Sequence, residues 1–258
     1  MTLFQISSVD KVYPGSPPVV ALQDISLSIE QGEFIVFLGP SGCGKSTLLE
    51  LLSGLQQPSD GQVSFHGQPI EGPHHSLGVV FQDASLLPWR TVEDNVAFGL
   101  ELSGIGRAER GNTARHYLDK VGLTGFGEKY PHQLSGGMRQ RAGIARALST
   151  EPEVLLMDEP FGAVDHITRI KLQEELTGLW QENRRTIVFV THDVGEAAFL
   201  ADRIVLFSPR PGRVHTIFDV DLPRPRRRGD LDLLKLESKI YDTLHAVENQ
   251  SRAANAPV

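Results

Sequence analysis

Of 258 residues, only Cys43 is a cysteine, so no disulfide can form within the chain, which agrees with a reducing compartment. Nor does any apolar run approach the roughly 18 to 20 residues that a membrane-crossing helix needs. The opening MTLFQISSVD lacks a basic stretch followed by a hydrophobic one, so a cytoplasmic, water-soluble protein is expected. Positive charge is in short supply too: 25 Lys and Arg stand against 32 Asp and Glu, a formal net charge of −7. That balance argues against wholesale binding of nucleic acid, whose phosphates reward a basic face. The one basic cluster, PRPRRR at 223–228, is too short for such a face and reads as a solvated turn. Internal repeats and long low-complexity segments are missing as well. A length of 258 residues with 40% hydrophobic content suits one large domain, or a core carrying an inserted subdomain.

What the chain does have is concentrated first in Phe34 to Leu55, FIVFLGPSGCGKSTLLELLSGL: an apolar run, a glycine-rich turn with one lysine, then an apolar helical pattern. Gly39, Gly44, Lys45 and Ser46 satisfy the phosphate-loop spacing with both required neighbours present. Glycines let backbone N–H groups close around phosphate oxygens, and the helix that follows adds its positive end. Lys45 is then expected to reach the outer phosphates and the Ser46 hydroxyl to hold Mg²⁺. Cys43, inside the loop, is either a tolerated small residue or a thiolate favoured by Lys45 and the helix end.

Around this loop, the alternating segments Leu3–Tyr13 and Val19–Ile29 predict two antiparallel strands leading into a third at Phe34–Leu38. Tyr13 is either core or a base-stacking aromatic. Short strands follow at Gln62–His66 and Leu77–Phe81, the second ending on Gln82, an amide placed to touch Mg²⁺ or its water. From Asp83 to Leu123 the pattern turns helical, with Ala114, Tyr117, Leu118 and Val121 on one face and glycines at 99, 104, 106 and 111 breaking it into pieces. Trp89, in LLPWR, is a partner anchor or local core.

LSGGMRQR at 134–141 opens another helix. Its Ser135 is an ordinary N-cap or part of a second anion site on free N–H groups. Val154 to Met157 predicts a buried strand ending in Asp158 and Glu159, adjacent carboxylates suited to hold Mg²⁺ and to deprotonate an attacking water. Leu172, Leu176, Leu179 and Trp180 mark core at helical spacing. Thr186 to Val190 predicts one more strand, ending on Thr191, His192 and Asp193, with His192 placed to contact a γ-phosphate. A hairpin at Arg203–Phe207 and Arg213–Phe218, then a helix from Leu231 to Val247 and a frayed tail, complete the chain.

The order GPSGCGKST, Gln82, LSGGMRQR, VLLMDEP, Asp165, His192 resembles the nucleotide-binding subunit of an ATP-binding cassette transporter, over about Val12 to Val214. The resemblance implies an α/β phosphate-loop NTPase (RecA-like) core with an N-terminal antiparallel β-subdomain and an inserted helical signature subdomain at about 83–150. It implies one ATPase domain over 1–225 and a C-terminal extension over 226–258. Residue by residue, it implies Tyr13 on adenine, and Gly39, Pro40, Ser41, Gly42, Cys43, Gly44, Lys45, Ser46 and Thr47 as the phosphate cradle. It further implies Gln82 as the lid glutamine, Ser135, Gly136, Gly137 and Met138 as the signature, and Asp165 in the loop beyond. Asp158 then becomes the magnesium aspartate alongside Ser46 and Gln82, Glu159 the general base and His192 the switch histidine. In such proteins two cassettes close head to tail over two ATP molecules, each signature capping the ATP of its twin. The family pattern departs at Met138, where glutamine is commonest, and at Val164, where leucine is usual; neither removes a charged group.

Finer similarity, in IEGP, GVVFQ, LLPWRTVEDNVAFGLEL, DEPFGA and SPRPGRV, is to import ATPases for taurine, alkylsulfonates and nitrate. It implies a peripheral protein on the cytoplasmic face of the membrane, driving integral permease subunits and served indirectly by a solute-binding protein. The rivals are a soluble cassette ATPase outside transport and a small-molecule kinase. Kinases lack LSGG, and soluble cassettes usually come in tandem or with long insertions.

Overall fold

The computed structural model describes residues 1–254. Its elements in chain order are β1 (Thr2–Tyr13), β2 (Val19–Glu30), β3 (Phe34–Leu38), α1 (Lys45–Leu52), β4 (Asp60–Phe65), β5 (Gln68–Pro69), β6 (Leu77–Val80), α2 (Val92–Val96), α3 (Phe98–Leu102) and α4 (Arg107–Lys120). Then come α5 (Gly136–Ser149), β7 (Val154–Asp158), α6 (His166–Asn183), β8 (Thr186–Thr191), α7 (Val194–Leu200), β9 (Arg203–Phe207), β10 (Val214–Asp219) and α8 (Leu231–Ala254). The chain falls into two compact units, one made of Met1–His74 with the segment from Thr186 onward, the other of His75–Arg185.

The first unit contains two sheet regions. One is antiparallel, in the order β2-β1-β4-β5, and buries Phe4, Ile6, Val9, Ile25 and Phe65 from alternating positions. The other sets β3 between β8 and β9, parallel to both, with β10 antiparallel on β9. Every residue of β3 is buried, as expected for a strand covered on both faces, and Phe37 meets the edge of Phe207 at 5.5 Å between ring centroids. Register brings Leu38 opposite both Thr191 and Leu206, so three strands finish level and hand their following loops to one rim.

The basic turn after β10 is not solvated as expected. Arg226 Nη1 donates to the carbonyls of Ala198, Phe199 and Ala201 at 3.0, 3.0 and 2.7 Å. Arg224 donates to Leu200 O and pairs with Asp202 at 2.8 Å. These guanidiniums occupy the carbonyls that the end of α7 leaves without intrahelical partners. Burial pulls Arg226 down to about 10, still high enough to keep it charged at neutral pH. The helix that follows, α8, is longer than the sequence suggested, reaching Ala254 and burying Leu233, Ile240 and Val247; the last part of the expected tail, 255–258, lies outside the described residues.

In the second unit β6 and β7 pair in parallel, Val80 opposite Met157. Thr91 caps α2 by accepting from Asp94 N at 3.1 Å. Helix α4 buries Ala114, Tyr117 and Leu118, with Val121 buried just beyond its end, as the periodicity required. Only Gly104 and Gly106 separate helices, however; Gly99 lies within α3 and Gly111 within α4. A Cβ on Gly99 would sit 2.4 Å from Thr150 Cγ2, so glycine is there for a close approach and not as a breaker. Leu172, Leu176 and Trp180 are buried core; the side chain of Leu179 lies outside the described residues.

Candidate functional site

The phosphate loop leaves β3 at Gly39 and enters α1 at Lys45. Gly44 turns the chain with φ 102°, and a Cβ there would lie 2.6 Å from Leu22 Cδ2 and 2.8 Å from Ala21 O, so no side chain fits. Lys45 is buried, and its ammonium donates to Gly39 O at 2.8 Å and Pro40 O at 2.9 Å, cinching the loop on itself. Ser41, Gly42 and Ser46 are exposed on the loop's outer side.

Tyr13 is half-buried and so is not core; its hydroxyl shares a 3.4 Å hydrogen bond with Thr47 Oγ1. Lys11 lies 5.3 Å from its ring centroid, held by Gln56 Oε1 at 3.0 Å and Gln57 O at 2.7 Å. His192, exposed, follows Thr191 at the level where Gly39 follows Leu38, so the phosphate loop and this histidine leave neighbouring strands side by side.

At Cys43 the structure decides between the two readings. It is 1% exposed, and burial pushes its thiol above the ordinary range despite the opposing pull of Lys45. The side chain is a buried neutral thiol and not a reactive thiolate.

Sequence reasoning missed a brace on this loop. The turn between β9 and β10 backs onto it: Arg210 Nε donates to Gly42 O at 3.3 Å, and Gly212 donates to Ala21 O and accepts from Gln23 N, both at 2.9 Å. A Cβ on Gly212 would fall 1.9 Å from Cys43 O. The signal was in SPRPGRV, read only as a likeness.

The second unit carries the other candidates. The last β6–β7 pair is Val80 opposite Met157, so Gln82 and the carboxylates Asp158 and Glu159 follow adjacent strand ends. Gln82 is exposed, and Glu159 adopts φ 42°, a left-handed conformation unusual for a residue with a side chain. Glu151 and Arg184 in the same unit share this conformation, which at Glu159 turns the chain away at the end of β7.

Ser135 caps α5 by accepting from Met138 N at 3.3 Å, and Gly136 and Gly137 lie against Ala163 and Val164. Val164 is buried in this contact, so its departure from the family pattern is a matter of packing inside the unit. Asp165 caps α6 by accepting from Thr168 N at 3.0 Å, and that hydrogen bond holds its carboxyl below the usual range.

Helix α5 also straps the segment after β6. The buried Gln140 donates to Phe81 O at 3.0 Å, and Arg146 donates to Ala84 O and Ser85 O at 2.8 and 2.9 Å. Asn95, fully buried, donates to the carbonyls of Leu87, Arg90 and Thr91 and accepts from Leu87 N at 2.6 Å. It shapes the LLPWR loop, from which Trp89 stands 72% exposed and so is not local core. Neither Gln140 nor Asn95 could be singled out from sequence, because each acts on carbonyls set near it only by folding.

Parallel strands that finish in a glycine cradle on one unit and in a paired-carboxylate rim on the other define a phosphate-loop NTPase with a RecA-like α/β core and an inserted helical subdomain. Residues 22–162 match the ABC transporter family model, and the chain belongs to that family as its ATPase, coupled to transport. It is 52% identical over 212 residues to the taurine import ATP-binding protein TauB of Escherichia coli O157:H7, covering 82% of each chain. It is 50% identical over 226 residues, 88% of this chain and 85% of the other, to an uncharacterized ABC transporter ATP-binding protein of Methanocaldococcus jannaschii. Among solved structures, the dimeric post-hydrolysis state of the ATP-binding cassette MJ0796 bound to ADP and Pi matches with a TM-score of 0.79 and 32% identity, covering 86% of this chain and 100% of that one.

Proposed function

We propose that this ATPase energises import of a small sulfonate, taurine first among them. Two copies close head to tail over two ATP molecules and reopen after hydrolysis. The observation that carries the solute is the run of taurine import ATP-binding proteins at 48 to 52% identity across two bacterial genera. The cassette works on the cytoplasmic face of the membrane, peripherally, on integral permease subunits that a solute-binding protein supplies. In keeping with this, no helix among the described residues is long and apolar enough to cross a membrane.

In the chemistry, the loop from Gly39 to Thr47 cradles the triphosphate and Tyr13 stacks on adenine. Ser135, Gly136, Gly137 and Met138 of the twin cap the γ-phosphate with a serine-capped helix start, and Asp165 supports the loop beside them. The donors proposed for Mg²⁺, the Ser46 hydroxyl, the Gln82 amide and the Asp158 carboxylate, are all oxygens, the hard ligands that ion selects. Held by these residues, Mg²⁺ would supply positive charge against the triphosphate. Glu159 orients and deprotonates the attacking water, and His192 contacts the γ-phosphate.

Glu159→Gln tests this reading. ATP binding persists, hydrolysis falls by about two orders of magnitude or more, and the protein dimerises when saturated with ATP and magnesium. Full turnover, or a monomer under those conditions, contradicts it. Uptake assays with taurine, other sulfonates and nitrate, in cells lacking the gene and complemented with it, decide the solute.

A further inference from the structure

The loop that carries His192 is held by a ring of hydrogen bonds closed by a buried acid. Thr191 ends β8, anchored there opposite Leu38, and its hydroxyl donates to Glu196 Oε2 at 2.6 Å. The same oxygen, Thr191 Oγ1, accepts from Asp193 N at 3.0 Å. Asp193 Oδ1 in turn accepts from Glu196 N at 2.9 Å, capping α7. His192 therefore sits between two neighbours locked to each other and to the first turn of α7, with its own side chain exposed.

Thr191 and Glu196 are 2% and 7% exposed. A carboxylate is costly to bury, and a hydroxyl that both donates to it and accepts from the next backbone amide leaves Thr191 one rotamer. Asp193 could cap α7 without any of this, since an N-cap needs only its own oxygen and the amide three residues on. The extra acid acts on what lies before the cap, which is the backbone on either side of His192.

The geometry points to Glu196 as a positioning residue for His192: through Thr191 and Asp193 it fixes the backbone from which the imidazole reaches nucleotide. This rests on the reading of His192 as the γ-phosphate contact. The group itself touches no substrate, so its loss slows turnover and spares nucleotide affinity, which the phosphate loop on β3 supplies.

The test begins with His192→Ala, expected to keep ATP binding and lose turnover. Glu196→Ala then lowers kcat about tenfold, as small displacements of a reacting group do, with the ATP dissociation constant changed by no more than about twofold. Glu196→Gln, which keeps an oxygen acceptor for the Thr191 hydroxyl, recovers most of the loss. Adding Glu196→Ala to His192→Ala slows the enzyme no further, because both act through one group.

Should Glu196→Ala fail to fold, Thr191→Val against Thr191→Ser replaces it, with serine expected to work and valine to be slow. Folded Glu196→Ala or Thr191→Val proteins with wild-type kcat beside a slow His192→Ala overturn the assignment. So does a Glu196→Ala effect that persists at full size without His192. A wild-type rate in His192→Ala defeats the underlying reading of the histidine, and with it this one.

Discussion

The two units hold their site residues by different means. In the first, the phosphate loop is shaped mostly by glycine backbone, with left-handed glycines and the backbone of Gly212 pressed against it, and two side chains, Lys45 and Arg210, bonded to its carbonyls. In the second, the segment after β6 depends on side-chain straps from Gln140, Arg146 and Asn95. A loop set by backbone geometry tolerates little substitution and little movement. One held by single side-chain bonds, each contributing about 1 kcal/mol, can be loosened a step at a time.

The largest effect expected from breaking the first arrangement comes from Lys45→Ala. Removing charge-assisted bonds from a buried position weakens ATP binding by about two orders of magnitude or more, read by equilibrium titration with a fluorescent nucleotide. Unchanged affinity would remove Lys45 from the cradle. Next comes Gly212→Ala, whose Cβ must intrude on the Cys43 carbonyl. A cost of about 3 kcal/mol and weaker nucleotide binding are expected, seen as a lower denaturation midpoint. A variant as stable as wild type would show that the brace yields.

The contrast is sharpened by Gln140→Leu in the second unit. It removes the strap on Phe81 O at similar volume, with an expected loss of about 1–2 kcal/mol and slower hydrolysis at unchanged ATP affinity. An equal fall in affinity would erase the distinction between the units.

The smallest effect concerns Cys43, whose thiol is raised by burial. A group with a raised folded pKa contributes stability that is complete below its unfolded value, about 8.5 for a thiol, and lost as pH rises toward the folded one. Melting temperature should therefore fall more steeply between about pH 8 and 10 in the wild type than in Cys43→Ala, and native protein should resist thiol reagents that label it when unfolded. Rapid native labelling would contradict the burial.

Much of the scaffold was legible because it is written in local pattern: the alternation of β1 and β2, the apolar strands β3, β7 and β8, the stripe on α4, and the spacing of Gly39, Gly44 and Lys45. Gly99 and Gly111 misled because glycine lowers helix propensity in every context, while its value for close packing depends on a neighbour such as Thr150 that is distant in sequence. Arg224 and Arg226 misled for a related reason. Charge density reads as solvated until the end of a helix supplies carbonyls for it.

The sequence alone determined which chemical groups are present and in what order along the chain, since phosphate-loop spacing, a serine before two glycines and two carboxylates after an apolar strand are all local. Tertiary structure alone decided that Cys43 is sealed, that Trp89 stands outward, that the turn at 208–212 backs the phosphate loop and that Glu196 locks the segment around His192. Each of those depends on burial or on a hydrogen bond whose partner is chosen by folding. No residue's identity announces what will lie three ångströms from it.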